Sequence, residues 1–194
     1  MNKQKELDKI AKEIENCDVC KVGKSGKAVP GEGNPDADVI FVGEAPGKQE
    51  AATGRPFIGR SGQLLRNLIR GIGLDDEKVV YITSPVKYLP DRGTPTSQDI
   101  AHGRMHLMKQ FIVIQPKVVV LLGRVAAEGV LERKVAVAKE HGQVIEEKDG
   151  MKYFLTYHPA AALRFPNKFK PLLQEDFQKV KASFLKSDLD IRLI

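Results

Sequence analysis

The sequence predicts an α/β protein in which helices cover both faces of a mostly parallel sheet. Strand-like and helix-like segments alternate along its 194 residues, without repeats or low-complexity tracts. Four short apolar runs are the strand candidates, at residues 39–42, 79–82, 118–122 and 153–156. Such short runs are typical of strands that are buried on both faces, as they are in a parallel sheet.

Helices are predicted between and around these strands. A helix capped by Ser61 places five apolar side chains, the last of them Ile72, on one face and ends near Gly73. Further helices are predicted at residues 3–14, 97–114, 125–131 and 172–185. Residues 21–36, rich in glycine and lysine, are predicted to form an exposed loop rather than a linker. We therefore expect one domain over residues 1–194.

Charge and composition narrow the class of protein. The chain carries 31 Lys and Arg against 25 Asp and Glu, a net charge of +6, and its pI is near 9.2. That excess favours a polyanionic partner, DNA or RNA. No apolar run approaches the roughly 18 residues of a membrane helix, and the first residues are too charged for a signal peptide, so we expect a cytoplasmic protein without a membrane partner. With only Cys17 and Cys20, a disulfide framework is not expected.

The first strand candidate runs into a turn that is typical of an active-site loop. Gly43 and Gly47 let the backbone approach a ligand and Pro46 stiffens the turn, so that main-chain amides can face a bound polar group. Glu44 and Glu50 bracket the pocket that this turn would form. The alternative is a solvated loop in which Glu44 only caps the next helix.

Two ring side chains belong to segments that can reach the same region. Phe57 lies among glycines, where a presented phenyl ring suits stacking on a planar base, worth roughly 1–3 kcal/mol. The alternative is a ring that anchors the loop in the core. His158 follows the last strand candidate, and two such strand ends in one α/β sheet can face one crevice. For a lone histidine at a strand end, a purely structural role is the alternative.

Four motifs follow one another along nearly the whole chain. They are Gly-Glu-Ala-Pro-Gly at 43–47, Gly-Arg-Pro-Phe-Ile-Gly at 54–59 with Gly-Gln-Leu-Leu at 62–65, Tyr-Ile-Thr-Ser-Pro-Val-Lys at 81–87, and His-Pro-Ala-Ala-Ala-Leu-Arg at 158–164. Together they resemble the family 4 uracil-DNA glycosylases, and residues 117–127 resemble the central strand and helix of that family. The resemblance implies a three-layer α/β/α sandwich around a mostly parallel four-stranded sheet, with DNA bound across the strand ends. It also implies that the target base is flipped out of the duplex into a pocket.

The resemblance also implies roles for the loop residues. Breaking the bond between deoxyribose and uracil builds positive charge on the sugar and negative charge on the departing base, and both must be stabilised. His158 would donate a hydrogen bond to the uracil oxygen that gains charge, and Phe57 would stack under the base. Glu44 or Glu50 would position the water or stabilise the sugar cation. The backbone amides implied to bind the base are those of the loop at Gly43, Ala45 and Gly47.

Contacts to the DNA itself are expected beside the His-Pro motif and in the glycine-rich loop. Leu163 is the candidate wedge that fills the gap left in the duplex, and Arg164 would lie on phosphate. The other phosphate-contact candidates are lysines that flank the proposed crevice, namely Lys168, Lys170, Lys21, Lys24 and Lys27.

Ser84 departs from the family pattern, because it stands where the resemblance calls for an asparagine that recognises the uracil edge. An Asn amide both donates and accepts, whereas a Ser hydroxyl is shorter and rotates freely. Base specificity is therefore open. The change would relax the enzyme toward other deaminated bases, weaken it, or be compensated by a water.

The metal ligands depart as well. The family pattern implies a [4Fe–4S] cluster on four cysteines, of which Cys17 and Cys20 match the first pair. The third would fall at Tyr88 and the fourth close to His102. The alternatives are a degenerate cluster site, a zinc ion held by the two cysteines and a histidine, or no metal. No cofactor is expected to be required for the chemistry, and His106 and His141 are assigned no role.

The function expected from these residues is that of a DNA glycosylase of base excision repair. It would remove uracil or a related deaminated base from DNA as a monomer, leaving an abasic site. The alternative is a nucleic-acid-binding member of the same superfamily with weakened catalysis. A nucleotide-binding α/β protein is disfavoured, because neither phosphate-binding glycine motif follows the first strand.

Overall fold

The central feature of the fold is a six-stranded sheet in a computed structural model that describes residues 2–74 and 79–185. The strands are β1 (Lys24–Ser25), β2 (Glu32–Gly33), β3 (Val39–Val42), β4 (Val80–Thr83), β5 (Leu89–Pro90), β6 (Val118–Leu122), β7 (Gln143–Lys148) and β8 (Met151–Thr156). The helices are α1 (Lys3–Glu15), α2 (Asp18–Lys21), α3 (Lys48–Thr53), α4 (Arg60–Gly71), α5 (Ser97–Ile114), α6 (Gly123–Leu131), α7 (Val137–Glu140), α8 (Pro159–Arg164) and α9 (Pro166–Leu185).

The strand order is β2-β4-β3-β6-β8-β7. The four predicted strands are confirmed as β4, β3, β6 and β8, which pair in parallel. The sheet is larger than the predicted four strands, because β2 and β7 pair antiparallel at its two edges. Neither edge strand has the apolar run by which the others were found. The strands β1 and β5 pair antiparallel in a separate two-stranded sheet. β1 lies within residues 21–36, which were predicted to be a loop, and β5 lies outside that range.

Alternating side chains of the parallel strands divide between two cores, which gives the predicted three layers. Ile40 and Val119 pack on one face against α1, α5 and α6. Phe41 and Val120 pack on the other face against α4, α8 and α9. Successive strand residues point to opposite faces, and all residues of β3 and β6 are buried. This double burial explains why these strands consist of unbroken apolar residues.

The predicted helices are confirmed, with differences at three of their starts. Helix α6 begins at Gly123, two residues before the predicted start. The prediction that Ser61 caps a helix is wrong, because α4 begins at Arg60 with Gly59 as its N-cap. The C-terminal helix begins earlier than predicted, at Pro166, and continues through Pro171. Pro171 is the sixth residue of α9, so its missing N–H leaves one backbone hydrogen bond of the helix unmade. Within the described residues, no helix is long and apolar enough to cross a membrane.

The parallel strands β3, β4 and β8 all end at the same edge of the sheet. The loops that begin at Gly43, Ser84 and Tyr157 therefore leave from one side of the molecule. A hydrogen bond of 2.9 Å from the Gly43 amide to the Thr83 carbonyl joins the first two loops. The fold thus gathers three segments that are distant in sequence at one edge, as expected for a ligand site in an open α/β sheet.

Candidate active site

A cavity of about 310 Å³ lies at this edge of the sheet. It is bordered by residues from all three loops and from the segment that carries Phe57. The predicted site residues that line it are Glu44, Ala45, Gly47, Glu50, Phe57, Ser84 and His158. Larger hollows exist elsewhere on the described surface. Two of them include none of these seven residues, and a third, which adjoins the cavity, includes only Glu50.

Phe57 is held in a left-handed backbone conformation, with φ of 51°. Its ring lies over Gly43, so closely that a methyl group there would stand 2.4 Å from the ring edge. Its backbone lies over Gly62, where an added Cβ would be 2.0 Å from the Phe57 carbonyl carbon. The two glycines therefore make room for a conformation that a phenylalanine rarely adopts. The ring is half-buried, packs against the core and still lines the cavity.

Arg66 fixes the loop of Phe57 from the side of the core. Its guanidinium donates to the Phe57 carbonyl at 3.1 Å and to the Pro56 carbonyl at 3.1 Å. It also pairs with Glu32 at 3.2 Å. Arg66 was missed in the sequence, because nothing local marks an arginine in α4 as a support for a loop that precedes its helix.

The Glu50 carboxylate accepts hydrogen bonds from three backbone amides. It accepts the amide of Gly47 at 3.2 Å, that of Ile58 at 2.8 Å and that of Gly59 at 2.7 Å. Glu50 is buried, with only 8% of its surface exposed. Glu50 therefore links the loop after β3 to the Phe57 segment, because both of its carboxylate oxygens accept backbone amides there.

Glu44 has a different environment from Glu50. Among the described residues, no group donates a hydrogen bond to its carboxylate, and it does not cap α3, which begins after Gly47. Burial raises the pKa of the Glu44 carboxyl above its ordinary value, and the charge of Arg124 partly opposes that shift. Of the two glutamates, Glu44 is thus the one whose oxygens are free to face a ligand in the cavity.

Two of the three predicted backbone amides are already engaged. The Gly43 amide donates to the Thr83 carbonyl and the Gly47 amide donates to Glu50. The expectation that they bind a base therefore needs correction. Within the described part of the chain, the Ala45 amide has no acceptor, and Ala45 lines the cavity. Of the three predicted amides, only that of Ala45 is therefore available to a ligand within the described residues.

His158 caps the N-terminus of α8 with its ring. Its Nδ1 accepts the Ala160 amide at 3.1 Å. The ring proton must then be on Nε2, the nitrogen that has no partner among the described residues. Burial lowers the pKa of His158 to about 4, so the imidazole is neutral near pH 7. Its ring centroid lies 6.0 Å from that of Phe57, with 34° between the planes.

Ser84 lines the cavity but its hydroxyl is turned into its own loop. The hydroxyl donates to the Val86 carbonyl at 2.8 Å, and the residue is 6% exposed. Its oxygen keeps lone pairs that can accept, while its only proton is committed. The side chain therefore contributes a small wall without a free donor.

The surface beside the cavity carries both apolar and basic groups. Leu163 is 38% exposed and borders a second hollow with Arg164, Lys48 and Arg60. The last two were not predicted. The Arg164 guanidinium lies 5.4 Å from the ring of Phe165, which is itself exposed. This side of the cavity thus exposes the apolar side chain of Leu163 with basic side chains around it.

The lysines of the glycine-rich loop differ in availability. The prediction that Lys24 contacts phosphate is wrong for this structure, because its side chain is 3% exposed and pairs with Asp99. Its ammonium also donates to the Val22 carbonyl. Lys21 and Lys27 are exposed and line a separate hollow.

A cluster of possible metal ligands lies away from the cavity. The Cys17 sulfur is 3.1 Å from His102 Nε2, and one ligand atom from each of Cys17, Cys20, His102 and His106 lies within 4.8 Å of the others. Tyr88, at the position of the third family cysteine, instead donates to the Ile14 and Glu15 carbonyls at 3.3 and 3.4 Å. This donor set does not fit a [4Fe–4S] cluster on four thiolates.

Comparison with known proteins identifies the family. The family model of the uracil DNA glycosylase superfamily matches residues 30–182. The type-4 uracil-DNA glycosylase of Sulfurisphaera tokodaii is 40% identical over 90% of this chain and 83% of its own. That of Thermotoga maritima is 38% identical over 94% of this chain and 96% of its own. The fold and cavity define a protein of the α/β/α class with a pocket at the strand ends.

The chain belongs to the uracil DNA glycosylase superfamily. The resemblance that the four motifs predicted is thereby confirmed. A type-5 uracil-DNA glycosylase of Thermus thermophilus is also similar, at 33% identity over 68% of each chain.

Proposed function

We propose that this protein is a DNA glycosylase that flips uracil out of DNA and hydrolyses its bond to deoxyribose. The observation that carries the proposal is the convergence of seven predicted residues from four segments on one cavity. The relatives named type-4 uracil-DNA glycosylases support the same activity. The product would be an abasic site and free uracil.

Stabilisation of the leaving base falls to two donors. Neutral His158 carries its proton on Nε2 and donates it as a hydrogen bond to the uracil oxygen that becomes negative. The Ala45 amide is the second donor. Preorganised donors of this kind are worth several kcal/mol, because they need no rearrangement as the charge develops. The Phe57 ring supplies the surface on which the flipped base stacks.

Stabilisation of the sugar falls to Glu44. Its carboxylate accepts no hydrogen bond within the described chain, whereas that of Glu50 accepts hydrogen bonds from three amides. Glu44 would hold the attacking water or face the sugar cation, and Glu50 would act as a positioning residue. Glu44 and Glu50 thereby receive different roles, which the sequence alone did not distinguish.

DNA would lie along α8 and the start of α9. Leu163 would enter the stack where the base has left it, and Arg164, Lys168 and Lys170 would contact phosphates. The exposure of Leu163 and the cations beside it support this placement. No cofactor takes part in the chemistry, since the Glu44 carboxylate, the neutral His158 imidazole and a water are sufficient for hydrolysis.

Ser84 favours a second candidate function. Its only hydroxyl proton is donated to Val86, so the site has no side chain there that can both donate to and accept from a base edge. A member of the superfamily that binds damaged DNA but cleaves it slowly would have this feature. Cleavage assays distinguish the two candidates.

The test is formation of abasic sites on single- and double-stranded oligonucleotides that carry one uracil. The wild-type protein should cleave uracil DNA and leave the matched thymine DNA intact, and His158→Ala should lose most of this activity. His141→Gln is the matched control, because His141 lies outside the cavity and contacts Asp176. Binding of uracil DNA without any abasic product would favour the second candidate.

A further inference from the structure

Four side chains in the described chain form a compact set of metal-binding atoms, here called the Cys2His2 cluster: Cys17, Cys20, His102 and His106. Cys17 is the N-cap of the short helix α2 and Cys20 lies within it. His102 and His106 lie one turn apart on α5. Two elements thus each present two ligands, at the spacings Cys-x2-Cys and His-x3-His that structural zinc sites use.

His106 gives an independent sign that a partner belongs in this cluster. The residue is 8% exposed, and both ring nitrogens are buried without a hydrogen-bond partner. Its ring meets that of His102 edge to face, with centroids 5.6 Å apart. A polar atom buried without a hydrogen-bond partner destabilises the folded protein. A metal ion bound to one nitrogen would remove much of that destabilisation.

The size of the cluster matches one ion better than an iron–sulfur cluster. Zinc binds sulfur near 2.3 Å and imidazole nitrogen near 2.0–2.1 Å, so ligand atoms of a tetrahedral site lie roughly 3.3–3.8 Å apart. The four atoms found here all lie within 4.8 Å of one another. In a two-iron or four-iron cluster, the iron and sulfide atoms would separate the protein ligands further.

We propose that the Cys2His2 cluster binds a single Zn²⁺ ion in place of an iron–sulfur cluster. All four coordination positions would be filled by protein, which is the arrangement of a structural rather than a catalytic site. The ion would fasten α2 to α5, and none of its four ligands lines the cavity. His106, one turn beyond the position where the family pattern places a fourth cysteine, would complete the tetrahedron.

Metal content is the first test. Protein produced with zinc and iron both in the medium should contain about one zinc per chain, no acid-labile sulfide and no absorbance near 400 nm, the usual cluster region. Replacement of zinc by Co²⁺ should give the intense visible bands of a tetrahedral site and a thiolate charge-transfer band. Iron and sulfide in equal amounts, or metal-free protein that takes up no added zinc, would overturn the proposal.

Variants of His106 test the fourth ligand. Zinc affinity, measured by competition with a chromophoric chelator, should fall at least about tenfold in His106→Ala. His106→Cys supplies another tetrahedral ligand, so it should retain zinc and strengthen the cobalt–thiolate band. His141→Gln should bind zinc as the wild type does. If His106→Ala is too unstable to purify, an unchanged cobalt spectrum in His106→Cys alone would refute ligation by this residue.

Discussion

His158 Nδ1 lies 3.1 Å from the Ala160 amide nitrogen, two residues along the chain. An amide nitrogen can only donate, so this contact assigns Nδ1 as acceptor and places the ring proton on Nε2. The pKa of His158, lowered by burial to about 4, keeps the ring neutral over the physiological range. The residue therefore enters the reaction as a neutral hydrogen-bond donor through Nε2.

Replacing His158 should remove that donor without unfolding the protein, since the ring lines the cavity. His158→Ala should lower the single-turnover rate of uracil release about 10²–10³-fold, the usual cost of one transition-state donor. His158→Asn, which keeps a short donor, should retain more activity. Equal rates for His158→Ala and the wild type would show that the leaving group is stabilised elsewhere.

The acid side of the pH–rate profile should report Glu44. Its pKa lies above the ordinary value because burial disfavours the charged form, so as the pH falls the carboxylate becomes protonated at a higher pH than an exposed glutamate would. The rate should decrease with it, at a higher pH than the value of about 4 at which His158 titrates. Glu44→Gln should be slow and should lose this limb of the profile. An unchanged limb in the variant would assign it to another group.

The two glutamates should separate in a stability measurement. Glu50→Gln replaces a carboxylate that accepts three amides by a group with one acceptor oxygen, and should lower the free energy of unfolding by about 1–3 kcal/mol. Glu44→Gln removes no such bond and should leave stability nearly unchanged. Urea denaturation of both variants checks this, and similar midpoints would contradict the assigned division of roles.

Ser84→Asn should cleave uracil DNA faster than the wild type, because an amide supplies both a donor and an acceptor to the base edge. Ser84→Ala is the matched control. It removes a hydroxyl that already points to Val86, so its rate should stay near that of the wild type. Equal or lower activity of Ser84→Asn on uracil would remove this position from the specificity determinants.

Gly43→Ala should displace the Phe57 ring, because the new methyl group would lie 2.4 Å from it. We expect uracil excision to fall by at least about tenfold, consistent with the loss of one stacking contact of 1–3 kcal/mol. Gly71→Ala, where nothing lies within 4 Å of the added Cβ, is the control and should keep full activity. Full activity in Gly43→Ala would show that the ring position is not critical.

The parallel core and the loops of the site were predictable because they depend on local patterns. Apolar runs revealed β3 and β6, and the loop composition revealed Phe57 and His158. The contacts that decide roles are long-range. No local pattern shows that Glu50 binds the amides of Ile58 and Gly59.

Other features escaped for related reasons. The edge strands β2 and β7 carry polar side chains and gain their order from pairing with a neighbour. Lys24 was predicted to contact phosphate, but it pairs with Asp99, which is distant in sequence. His106 was assigned no role, although its spacing from His102 on one helix was visible in the sequence.

The sheet order has a consequence for when the protein becomes active. The cavity needs the loop at Gly43, which follows β3, and His158, which follows β8, the last strand of the described chain. A nascent chain that has folded its first strands on the ribosome would still lack the His158 donor and the part of the cavity wall that His158 forms. Excision of bases would therefore begin late in synthesis, and a partly made chain would leave DNA intact.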